Sequence, residues 1–124
     1  MKITTFNPLI VTKDPKPVIE LFEAMGFERR HTKEGIDNQD ITDVRMKDAN
    51  GFHVDIAQWP DTTQDWTLIR MNVDNLDEAI ELLTAHGFRM SKSFSSTVET
   101  GSSRFNIMVS PSGFILDISH HIRH

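Results

Sequence analysis

Two glycine-led phrases carry the acids that could do chemistry. Gly51-Phe-His-Val-Asp-Ile56 is echoed by Gly113-Phe-Ile-Leu-Asp-Ile118, an offset of 113 − 51 = 62. Each phrase offers one aspartate, Asp55 and Asp117, and a pair of carboxylates can hold a cation or divide acid and base work. Alternate side chains of a strand point to opposite faces, so His53, Asp55, Ala57 and Trp59 share one face while Val54 and Ile56 share the other. His53 and Asp55 then stand about 6.8 Å apart, near enough to lean on one ion, whereas Asp117 and His121 are about 13 Å apart and cannot. Leu68, Arg70 and Asn72 alternate with Ile69, Met71 and Val73, which puts Arg70 on an inward face, at its rim, or at the surface. Trp59 can stack on a flat or cationic ligand, or pack at a seam. The chain has no cysteine, hence no thiolate nucleophile, thiolate metal site or disulfide framework. It has neither a Gly-x-Ser-x-Gly elbow nor a phosphate-cradling glycine loop.

The elements that position these residues occur twice. Val18-Ile-Glu-Leu-Phe-Glu-Ala-Met-Gly-Phe27 returns as Ala79-Ile-Glu-Leu-Leu-Thr-Ala-His-Gly-Phe88, an offset of 80 − 19 = 61 for the isoleucines. In the first copy Leu9 to Thr12 is a short β-rich run, Asp14 caps a helix beginning at Pro15, and Gly26 ends it. Val18, Leu21, Phe22 and Met25 follow the i, i+3, i+4, i+7 rule and are expected to be buried. Three strands follow, roughly 27–33, 41–47 and 52–57, separated by segments rich in turn formers. The second copy gives a strand over 68–73, a helix over 76–86 capped by Asn75, and strands near 88–94, 104–109 and 114–120. Its apolar stripe is Ala79, Leu82 and Leu83, with Leu116 and Ile118 joining Val54 and Ile56 in the expected core. His86 stands where Met25 stood, and the helix dipole favours it there as a structural residue. Ser91 to Ser103 is a flap over a site or, the better fit to its composition, a polar hairpin tip. His31 has no recognisable partner, and His120, His121 and His124 lie at the chain end, where fraying is the default.

The order β-α-β-β-β, twice, gives an α+β chain of two modules: about 1–59, a linker at 60–66 between Trp59 and Trp66, and about 67–124. A unit of some 60 residues buries little core by itself, so a single domain built from both copies is expected. A net charge of −5 without a basic stripe argues against nucleic acid as the partner. No segment resembles a signal peptide or approaches membrane-spanning length, which points to the cytoplasm and away from a membrane.

Tandem βαβββ units, a helix ending in Gly-Phe, and the closing segment Ser110-Pro-Ser-Gly-Phe-Ile-Leu-Asp-Ile118 resemble the vicinal oxygen chelate superfamily, which holds glyoxalase I, bleomycin-resistance proteins and extradiol dioxygenases. The resemblance implies two modules curled into a half-open mixed-sheet barrel around a concave cavity. It also implies metal ligands from the first strand of a module, often His or Glu, and a Glu four residues after the glycine opening the last strand. On this sequence those positions fall on Asn7 and Leu68, and on Asp55 and Asp117. The acids are shortened and the histidines are missing. Leucine cannot bind a metal, and asparagine offers only a weak carbonyl ligand. Zinc-like sites want three or four well-placed ligands, so no metal and no cofactor are expected in the usual place.

The resemblance therefore implies a small-molecule binding protein of the bleomycin-resistance type, acting by sequestration as a homodimer. Its ligand would touch Asn7, His53, Asp55, Trp59, Arg70, Asp117 and His121. The alternative is a metal-dependent lyase, isomerase or dioxygenase of the same superfamily with an atypical ligand set, and His53 with Asp55 would be its relocated site. Two acids at matched positions imply a negative groove that prefers cationic ligands, and Arg70 is the residue that would oppose it.

Overall fold

The computed structural model describes residues 1–34, 42–91, 98–99 and 103–121. The element order is β1 (Ile3–Thr12), α1 (Pro15–Ala24), β2 (Glu28–Glu34), β3 (Thr42–Lys47), β4 (His53–Gln58), β5 (Trp66–Val73), α2 (Leu76–Ala85), β6 (Arg89–Met90), β7 (Val98–Glu99), β8 (Ser103–Val109) and β9 (Ile115–His121). This is the expected α+β plan of two βαβββ modules, with β7 as an added two-residue strand beside β8. None of the helices is long and apolar enough to cross a membrane among the described residues. The presumed flap or hairpin tip at 91–103 falls largely outside the described residues, as do the proposed strand end at 92–94 and His124.

Contacts divide the chain into two compact units, Asn7–Thr67 and Met1–Phe6 with Leu68–His124. In the first, the strand order is β2-β3-β4-β1, with β1 parallel to β4 and the other pairs antiparallel. In the second, β9 lies between a parallel β5 and an antiparallel β8, and β6 and β7 both pair with β8. The initial residues of β1 run beside β5, where the Asn72 amide donates to Thr5 Oγ1 at 3.2 Å and the Asp74 amide donates to the Lys2 carbonyl at 3.0 Å.

Local chemistry is repeated in both units. The Asp14 carboxylate accepts from the Lys16 amide, and the Asn75 side chain accepts from the Glu78 amide, so each helix starts with a satisfied donor. Each ends in a Schellman turn: Phe27 N–H to Phe22 C=O and Gly26 N–H to Glu23 C=O in α1, then Phe88 to Leu83 and Gly87 to Thr84 in α2. The Phe22 and Phe27 rings meet edge to face at 5.3 Å and lock the first of these turns. The turn before each last strand is held by one side-chain oxygen. Asp48 Oδ1 accepts from the Asn50 and Phe52 amides, and Ser110 Oγ, at the matching position, accepts from Gly113 and Phe114.

The helix stripes differ from expectation. Ile19 is buried with Val44, Met46, Val54 and Ile56, while Val18, Phe22, Phe27 and Ile10 pack against that cluster. In the second unit Val73, Leu76, Ala79, Leu116 and Ile118 form the core, flanked by Met71, Ile80, Leu83 and Phe88. Leu21 and Met25, each 56% exposed, and Leu82, 48% exposed, are not core residues. The inward stripe begins one turn earlier, at Pro15, Val18, Ile19 and Phe22 and at Leu76, Ala79, Ile80 and Leu83. Both windows satisfy the same spacing rule and share Val18 and Phe22, so periodicity by itself cannot choose between them.

Gly26 and Gly87 both hold positive φ, +104° and +88°, but a Cβ added at Gly26 meets nothing within 4 Å, whereas at Gly87 it would stand 2.7 Å from Pro111 Cγ. Gly87→Ala is therefore expected to cost about 2 kcal/mol or more, against about 1 kcal/mol for Gly26→Ala, because overpacking adds to left-handed strain at only one of them. Paired urea melts read the difference. Equal losses would mean that Pro111 gives way.

Candidate functional site

On the sheet face opposite α1 in the first unit, three strands bring Leu9, Asp55 and Arg45 into one row. Leu9 pairs with Asp55 between β1 and β4, and Asp55 pairs with Arg45 between β4 and β3. Asp55 is fully buried, and its carboxylate is gripped at both oxygens: Arg45 Nε donates to Oδ1 at 3.0 Å and Arg45 Nη2 donates to Oδ2 at 3.1 Å. Asn7, also buried, donates Nδ2 to the same Oδ2 at 3.1 Å and to the Pro8 carbonyl at 3.0 Å. Those two bonds fix the amide orientation, because a flipped amide would set its oxygen against a carboxylate oxygen. The result is a charge-assisted fork between planar groups, the strong form of such a pair.

The matching row of the second unit is Arg70, Asp117 and Ile107, in register across β5, β9 and β8. Its arginine comes from the opposite side. In the first unit the guanidinium arrives from β3 and the β1 position is Leu9; in the second it arrives from β5 and the β8 position is Ile107. The pair is looser, with Arg70 Nε 3.7 Å from Asp117 Oδ2, while Ser119 Oγ donates to Asp117 Oδ1 at 3.1 Å. Leu68 is buried beside it in sequence and presents hydrocarbon where a ligand would be needed.

The remaining expected residues are placed as follows. His53 is half-buried, opposite Lys47 across the β3–β4 hairpin. Burial holds its pKa below the ordinary histidine value, and the Arg45 and Lys47 charges push the same way against Asp55 and Asp48. Trp59 is half-buried just past β4, its backbone N–H donating to the Thr12 carbonyl at 2.9 Å. His121 is exposed at the end of β9, in register with Ser103, and His120 is half-buried in register with Arg104. His31 lies in register with Arg45 on β2. Arg45 itself was not singled out in the sequence.

This donor set does not fit a divalent metal at the positions the resemblance implies. A metal at Asp55 would have to displace a bidentate guanidinium and then sit beside that cation, and Asn7 turns its amide nitrogen, not its carbonyl, toward the acid. Among the described residues no group of three or more His, Cys, Asp or Glu side chains is placed to hold an ion. The expected negative groove also loses its basis, because an arginine lies against each acid.

No family model matches the sequence, and no curated protein matches it. Solved structures do match in fold. Methylmalonyl-CoA epimerase from Mycobacterium tuberculosis superposes with a TM-score of 0.75 at 15% identity, over 98% of this chain and 90% of that one. Glyoxalase I from Zea mays gives 0.68 at 14%, over 98% of this chain but 44% of the enzyme, so the chain spans less than half of that protein. A glyoxalase/bleomycin resistance protein/dioxygenase superfamily member from Vibrio splendidus 12B01 gives 0.62 at 11%, over 98% and 100%. At such identities the likeness is one of fold, and that fold is the vicinal oxygen chelate fold.

Proposed function

We propose that this protein binds a small organic molecule without a metal at the positions its fold makes available for one, as in sequestering proteins of the bleomycin-resistance type. One observation carries the reading: the buried Asp55 carboxylate is already neutralised at both oxygens by the Arg45 guanidinium. One of the structural neighbours, methylmalonyl-CoA epimerase, is by name an enzyme of a small molecule, which supports a small-molecule ligand for this chain too. In the first unit Asn7, His53, Asp55 and Trp59 remain the proposed ligand-side residues, with Arg45 added, and in the second unit Arg70, Asp117 and His121 do.

Protein purified without a histidine tag is expected to carry well under one equivalent of zinc, nickel, iron or manganese by elemental analysis. A stoichiometric metal that Asp55→Ala or Asp117→Ala removes would overturn the proposal in favour of a metal-dependent enzyme.

We also propose a cytoplasmic homodimer. Phe6, Phe52 and Phe114 are all exposed, apolar surface of the kind that association covers. Light scattering at micromolar concentration should give twice the 14.2 kDa chain mass. The single-chain mass would contradict it.

A further inference from the structure

Strand alternation and the core assignment fix which side chains share the outer face of the β3–β4 hairpin. Val44, Met46, Val54 and Ile56 pack toward α1, so Asp43, Arg45 and Lys47 on β3 and His53, Asp55 and Ala57 on β4 lie on the other face. The register then sets Lys47 directly across from His53 and Arg45 directly across from Asp55. Side chains two apart on a strand are about 6.8 Å apart and opposed pairs about 5 Å apart, so Arg45, Lys47 and His53 stand within reach of one carboxylate or phosphate.

Arg45 is not used up by its ion pair. Nε and Nη2 are committed to Asp55, which leaves Nη1 and the second hydrogen of Nη2 on the far edge of the plane. The side chain is 25% exposed although its partner acid has no exposure at all. Asp55 thus acts as an anchor that orients the fork in advance, so a ligand bound to the far edge pays little for ordering it. With Arg45 and Asp55 cancelling, Lys47 is the cation beside His53, while Asp48 is turned to the Asn50 and Phe52 amides and Asp43 lies two residues from Arg45 on the side away from Lys47. The influences on His53 agree, since the Arg45 and Lys47 contributions each exceed those of Asp55 and Asp48.

We propose that this face is an anion site, in which the far edge of the Arg45 guanidinium, the Lys47 ammonium and the His53 ring bind the carboxylate or phosphate of a small organic acid. The assignment rests on the metal-free binding role above and names its ligand class.

The test is an NMR titration of the metal-free protein with benzoate and phenyl phosphate, which separate the two anion types, against benzamidine and benzamide as cationic and neutral controls of like shape. Either anion should shift the His53 ring signals and the Arg45 and Lys47 amides saturably, with the controls inert. Lys47→Gln should weaken the response roughly two- to fivefold, as expected for one partly exposed charge. Arg45→Leu/Asp55→Leu, which removes both charges together and so leaves no buried ion behind, should abolish it with the amide spectrum otherwise folded. Anion binding retained in that double variant, or benzamidine acting like benzoate, would overturn the site. A metal-free protein inert to both anions would overturn the anion assignment and leave the metal-free role standing. A stoichiometric metal would overturn both.

Discussion

Arg45→Ala is expected to lower the unfolding free energy by about 3 kcal/mol, the low end for breaking a buried pair, because a quarter of the arginine is exposed. The loss comes from what is left behind. Asp55 has no exposure, and losing the guanidinium removes a charge-assisted bond from each of its carboxylate oxygens, which the neutral Asn7 amide does not replace. Arg45→Leu/Asp55→Leu should recover most of the loss, since an apolar pair of similar volume needs no charge compensation. Arg70→Ala serves as the internal comparison. Its Nε lies 3.7 Å from Asp117, and Ser119 already donates to that acid, so a smaller loss is expected. Urea melts of the four proteins decide it. If Arg45→Ala and the double variant unfold alike, the cost is lost packing of the arginine stem and not an orphaned charge.

The different routes of the two arginines bear on how the site came to be. Asp55 and Asp117 are equivalent by the internal repeat, but their arginines are not. Position 45 corresponds to Ile107, and Arg70 corresponds to Leu9. A single ion pair inherited by duplication would have put both guanidinium groups on the same strand. Each acid therefore has its arginine on a different strand, and in either unit a bare carboxylate at that depth would be costly. The outcome is a pair of acids whose charge is cancelled within each unit.

Much of this was legible in the residues. The repeat, the caps at Asp14 and Asn75, the glycine stops at Gly26 and Gly87, and the sidedness of β4 all follow from local chemistry that the structure bears out. Asn7 and Asp55, which the resemblance assigns to one site, are hydrogen-bonded to each other. Arg45 was missed although a signal was present. A tight turn over Asp48–Gly51 sets Lys47 opposite His53 and hence Arg45 opposite Asp55. The helix stripe failed for another reason: Leu21 and Ile19 are both apolar neighbours of Val18 and Phe22, and sheet placement, which no helix period contains, decides between them.

Ile19→Ala and Leu21→Ala turn that last point into a measurement on a single helix. Both remove a branched aliphatic side chain from α1, and alanine is the better helix former in either place, so intrinsic propensity favours the two substitutions by similar small amounts. Burial separates them. Ile19 sits in the cluster with Val44, Met46, Val54 and Ile56, whereas Leu21 leaves more than half its surface in water. Ile19→Ala should cost about 3 kcal/mol, from lost transfer energy plus the cavity left between helix and sheet, and Leu21→Ala should stay within about 0.5 kcal/mol of the parent protein. Thermal and urea unfolding at one fixed protein concentration give the comparison, because a self-association that covered Leu21 would make its cost rise with concentration. A loss at Leu21 equal to that at Ile19, unchanged on dilution, would mean that the inward stripe runs through Leu21 and Met25 after all.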